Sequence, residues 1–141
     1  MRINLVVLLQ IAGLLHLGFL AAGLLMPRVV RMRWHLATLP PFIRQLFWVY
    51  YTFIGFCIVS FSVITVAFAD TLAAGGALAR ALCGFFALFW MIRWCAGAFV
   101  FDMEPYLITR AHRFGYRALS AAFACLPVIY TLAAVRPEWL R

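Results

Sequence analysis

The chain is 141 residues long, one domain's length, and 67% of it is hydrophobic while only 11% is charged. Soluble domains run at roughly 45–50% apolar and about 25% charged, and so short a chain has too little interior to hide the excess, which excludes a water-soluble globule. The formal net charge is +8, but every basic residue is an arginine and the arginines gather at the ends of apolar runs, a placement that suits lipid phosphates and argues against nucleic acid as a partner.

The first apolar run, about residues 3–27, is interrupted only by Asn4, Gln10 and His16. A helix needs about 20 residues to cross the hydrocarbon core, so the run suffices. It is longer than the apolar core of a secretory signal and has no convincing small-residue cleavage site before Pro27, so it reads as a retained span. Residues 28–41 (RVVRMRWHLATLPP) form a basic connector in which Arg28, Arg31 and His35 recur at helical spacing, as in a short segment lying among headgroups.

Pro40 and Pro41 open a second span, about 42–69, where a missing N–H in the first turn costs nothing. Its first turns carry Arg44, Gln45, Trp48, Tyr50 and Tyr51, a basic and aromatic belt. β-branched and aromatic residues follow, but an open sheet cannot satisfy its backbone in lipid, so the run reads as helix. Asp70 to Ala79, with the Gly75-Gly76 pair, is expected to be a short turn. A third span, about 80–101, ends at Asp102-Met103-Glu104-Pro105, and a fourth, about 113–135, contains Pro127. The expected fold class is an all-α integral membrane protein: one domain over 1–141, four transmembrane helices in an up-down bundle, no soluble domain. Cys57, Cys83, Cys95 and Cys125 lie in apolar runs without a CxxC pair and read as small buried hydrophobes.

Four spans put the first and third connectors on one side. That side holds Arg28, Arg31, Arg33, Arg44, Arg110, Arg113 and Arg117, against Arg2, Arg80, Arg136 and Arg141 on the other. The bias makes the first side cytoplasmic and places both termini on the non-cytoplasmic side of a cell membrane, expected to be a bacterial inner membrane. The seven arginines are candidates for contact with lipid headgroups or phosphate. Arg110, Arg113 and Arg117 form a stripe entering the fourth helix.

Arg93 is the most informative residue, because an arginine within a span costs at least about 2.5–3.5 kcal/mol on insertion scales. It needs either a partner or a route for its side chain to the headgroups, which lie roughly 12 Å along the helix. His16 sits roughly 16 Å from the same side, and Tyr50 and Tyr51 reach a similar level. Arg93, His16, Tyr50 and Tyr51 are therefore candidates for an intramembrane polar site, with His16 alternatively bonding a neighbouring helix. Neither His35 nor His112 faces His16 at midplane, so haem is not expected. Asp102 and Glu104 are the acidic pair candidates, read as partners of nearby arginines. Ala12, His16 and Gly23 on the first helix, with small residues on the third and fourth, are expected to allow close helix approach.

No nucleophile with a base, no Gly-rich phosphate loop and no metal signature is readable, so no cofactor or metal is expected. The favoured reading is a small polytopic membrane protein of non-catalytic type, an accessory subunit or scaffold. Its expected partners are membrane lipids and a membrane protein or a second copy of itself. The alternative is a lipid-, quinone- or isoprenoid-binding protein or enzyme with a polar site around Arg93 and His16.

Overall fold

The computed structural model describes residues 4–103 and 108–135. Among them every regular element is a helix: α1 (Leu5–Val29), α2 (Met32–Ala37), α3 (Pro41–Ala67), α4 (Ala69–Ala74), α5 (Ala77–Phe99) and α6 (Arg110–Val135). α1, α3, α5 and α6 are long and apolar enough to cross a membrane.

Local chemistry sets the ends. The Asn4 side chain accepts the Val6 N–H at 3.0 Å and caps α1. Pro41 occupies the first turn of α3, where its missing N–H is no loss. Two boundaries differ from expectation. α1 continues through Pro27 to Val29, and the segment expected to be a turn contains α4. Ala69 and Leu72, one turn apart, are both buried and carry α4 into the core. Six residues are too few to show a helical period in sequence. Gly75 then adopts φ 73°, a left-handed C-cap that ends α4.

α1 is the hub, packing against α2, α3, α4 and α6. Its buried residues Leu5, Leu9, Ala12, His16 and Phe19 alternate steps of four and three, one continuous stripe. α5 buries Ala79, Cys83, Phe86 and Trp90 with the same alternation. α1 and α3 run antiparallel, since Gly13 meets Ser62 and Gly23 meets Tyr51. α5 and α6 do likewise, Arg80 meeting Ala134 and Gly97 meeting Tyr116. The Arg80 Nε–H donates to the Ala134 carbonyl at 2.8 Å, closing one of the carbonyls left open at the end of α6. Aromatic rings fill the centre: Phe19 stacks on Phe123 at 4.2 Å, and Trp90, Phe86 and Tyr130 are fully buried. Of the cysteines only Cys83 is buried, while Cys125 lies on the outer surface of α6.

Candidate functional site

The polar groups of the interior join helices to one another. His16 is fully buried, with ring contacts to Trp90 at 5.0 Å, Tyr130 at 6.0 Å and Phe61 at 6.3 Å. The Trp90 indole N–H donates to Nε2 of His16 at 3.0 Å, and Nδ1 lies 2.6 Å from the Ala12 carbonyl. An indole only donates and a carbonyl only accepts, so the imidazole is neutral with its proton on Nδ1, and both nitrogens are engaged. Thr65 Oγ1 and the Tyr130 hydroxyl lie 2.7 Å apart, tying α3 to α6. Ser62 donates to the Gly13 carbonyl at 2.8 Å, tying α3 to α1. Thr52 and Ser60, by contrast, bond carbonyls of their own helix.

The four residues expected to share a polar layer are dispersed. Tyr50 faces outward and is 61% exposed. Arg93 occupies the next position of the α5 stripe after Trp90, where the bundle opens. Its guanidinium lies 5.4 Å from the centre of the Phe101 ring and 5.0 Å from that of Phe123. A Cβ on Gly97 would stand 3.5 Å from its Nη1, so the side chain runs a full turn towards the arginine-rich end, the direction of snorkelling. The two rings offset part of the charge burial through their π faces, about 0.5–2 kcal/mol.

Tyr51 has a different task. Pro27 lacks an N–H, so the carbonyl four residues earlier, that of Gly23, loses its helical donor. The Tyr51 hydroxyl of α3 donates to that carbonyl, which lets α1 carry a proline within the helix without leaving the carbonyl unpaired. Tyr51→Phe is expected to destabilise the protein by about 1 kcal/mol through the orphaned carbonyl. Adding Pro27→Ala restores the helical donor and is expected to remove most of that loss. Denaturant titration of the detergent-solubilised variants measures both, and an equal loss in the wild-type and Pro27→Ala backgrounds defeats the assignment.

Cations collect at the other candidate site, a cleft of about 900 Å³ where α1, α2 and α3 meet. Its lining combines Arg28, Arg31, Arg33 and His35 with Leu24, Trp48 and Tyr51. Among the described residues none that lines it is acidic. A smaller hollow of about 290 Å³ adjoins it, sharing Arg33 and Trp48 and adding Arg44. Arg31 has φ 49° and ψ 42°, the only left-handed non-glycine residue among those described. The cleft drew on residues visible in the sequence as headgroup contacts, but nothing in their spacing showed that α2 folds back to enclose a volume.

Arg110, Arg113 and Arg117 sit exposed on the first turns of α6, at the same end. Cations at a helix N-terminus oppose the helix dipole, so these arginines are not there to stabilise the helix. Asp102 follows α5 at this end, and Glu104 lies outside the described residues. Among the described residues no three His, Cys, Asp or Glu side chains come close enough to hold a metal ion. No family model, curated relative or solved structure matches the chain, so similarity contributes nothing to the reading of its sites.

Proposed function

We propose that the chain is a multi-pass membrane protein of non-catalytic type, a scaffold or accessory subunit with four spans in up-down order. Its outer apolar faces pack against membrane partners or a second copy, and its arginine rim lies on the anionic cytoplasmic leaflet. Helical spans suit a bacterial inner membrane, since outer-membrane spanning proteins are barrels. Both termini then lie on the non-cytoplasmic side, which proteolysis of the 30–40 connector from the cytoplasmic face of sealed vesicles checks.

One observation carries this reading. Every buried polar side-chain atom among the described residues has a hydrogen-bond partner, and the bonds of Ser62, Thr65 and Trp90 join one helix to another. The surface left for function is the outside: apolar flanks bearing residues such as Phe53, Phe56, Leu88 and Ile92, and a ring of guanidinium groups. That ring, reinforced by the N-termini of α3 and α6, favours phosphate-bearing lipids.

Arg93→Leu tests the non-catalytic reading. The variant is expected to insert at least as well as wild type, because about 2.5–3.5 kcal/mol of insertion cost disappears. It is also expected to support wild-type growth wherever loss of the gene gives a phenotype. A variant that accumulates normally in membranes yet behaves as a deletion would overturn the proposal in favour of an intramembrane site at Arg93.

A further inference from the structure

We propose that the cleft between α1, α2 and α3 binds one anionic phospholipid, its phosphate held by Arg28, Arg31 and Arg33 and its proximal chain lying on Trp48 and Tyr51. The inference rests on the rim facing an anionic leaflet and adds a defined, stoichiometric site to it.

Size and polarity select the occupant. A cleft of about 900 Å³ lies within the range of small-molecule sites, roughly 300–1,000 Å³, and far exceeds a bare phosphate ion. Its chemistry is graded along the membrane normal. Arg28 and Leu24 are four residues apart on α1, about 6 Å of helix, and Tyr51 meets α1 at Gly23, so the lining passes from guanidinium groups to Leu24 and Tyr51 within one lipid's headgroup and upper chain. A free anion uses only the guanidinium groups, whereas an amphiphile uses both parts of the lining.

The walls are held in place before any ligand arrives. Tyr51 is pinned to the Gly23 carbonyl across the helix interface. Its ring meets Trp48 edge-on at 5.7 Å and stacks with Phe47 at 6.0 Å. Trp34 on α2 packs edge-on against His35 at 4.9 Å.

Arg31 supplies an independent sign. It occupies the position after α1 where a left-handed backbone makes glycine the usual residue. A side chain there adds strain that glycine would relieve. Such strain persists where the side chain serves a purpose, and Arg31 lines the cleft. Arg31 therefore trades stability for a third cation in the lining.

The test is native mass spectrometry of the full-length protein in detergent, titrated with phosphatidylglycerol and with phosphatidylcholine of the same chains. Wild type is expected to retain one phosphatidylglycerol, with about tenfold preference over phosphatidylcholine. R28Q/R33Q is expected to weaken retention about tenfold or more, and R113Q/R117Q, on α6 outside the cleft, less than about threefold. Arg31→Gly is expected to weaken retention while raising resistance to denaturant, a pair of opposite signs that a purely structural role does not give. Equal weakening by the two double variants overturns the cleft and leaves the rim reading standing. Absence of any preference for the anionic lipid overturns both. Displacement of the lipid by millimolar inorganic phosphate shows a free anion to be the ligand and overturns the lipid assignment. Earlier unfolding of the Arg31→Gly protein overturns the trade assigned to Arg31.

Discussion

Trp90→Ala is expected to lower the stability of the bundle by about 3–5 kcal/mol, among the largest effects available to a single substitution in this chain. The indole is 1% exposed and packs against two other helices, α1 and α6. It lies 5.1 Å from Phe19 of α1 and 5.6 Å from Phe123 of α6, and its N–H is donated to His16. In lipid the hydrophobic effect gives little drive to helix association, so lost dispersion contacts weigh more directly. The cavity left behind is lined by aromatic rings, and no water compensates. Trp90→Phe separates the two contributions. It keeps most of the volume but leaves Nε2 of His16 without a donor, so a smaller loss of about 1–2 kcal/mol is expected. Combining it with His16→Leu replaces both partners by apolar groups, and the double variant is expected to lose less than the sum of the singles. Unfolding in mixed detergent micelles, followed by far-ultraviolet circular dichroism, gives the numbers. A Trp90→Ala protein that unfolds with wild type would remove α5 from its assigned seat against α1.

The four long helices were legible in the sequence because each apolar run exceeds what any competing element tolerates. Pro41 marked a start almost to the residue, and α5 and α6 begin at Ala77 and Arg110, three residues before the expected starts at 80 and 113, a little beyond the one or two residues by which helix ends ordinarily fray. Pairing between helices was not legible, because it depends on rotation about each axis. Counting residues put Arg93 near the level of His16, yet the residue that meets His16 is Trp90, one turn deeper. Tyr50 and Tyr51 are neighbours in sequence and point about 100° apart on a helix. One faces outward and the other rescues the carbonyl that Pro27 abandons, a link readable in advance only by asking where the Gly23 carbonyl finds a donor. The cleft was hidden for the same reason. Its arginines read as a rim, and their spacing did not show that the chain turns left-handed at Arg31, between α1 and α2, where the hollow lies.

Gly13→Ala is expected to destabilise by about 1–2 kcal/mol, although alanine is the better helix former by about 1 kcal/mol. The sign is therefore diagnostic. A Cβ at Gly13 would run into Cγ2 of Val66, with the Ser62 carbonyl oxygen and the Val66 nitrogen both 3.5 Å away. The valine cannot swing aside cheaply, since one χ1 rotamer dominates in helices. α1 and α3 must instead separate, stretching the 2.8 Å bond from Ser62 to the Gly13 carbonyl. Gly13→Leu should extend the loss and split the pair. Val66→Ala removes the opposing methyl, so the Gly13→Ala/Val66→Ala protein is expected to fall short of additivity by about 1 kcal/mol in the stabilising direction. Gly18 and Gly23 serve as controls: a Cβ at either meets nothing within 4 Å. Alanine there is expected to be neutral or to stabilise through propensity alone. Gly23 was expected from sequence to provide close approach, but that role belongs to Gly13, and Gly23 contributes its carbonyl. Should Gly13→Ala prove as harmless as Gly18→Ala in the same denaturant series, the α1–α3 contact is not the tight one that positions Tyr51 over Pro27, and the inner wall of the cleft loses its support.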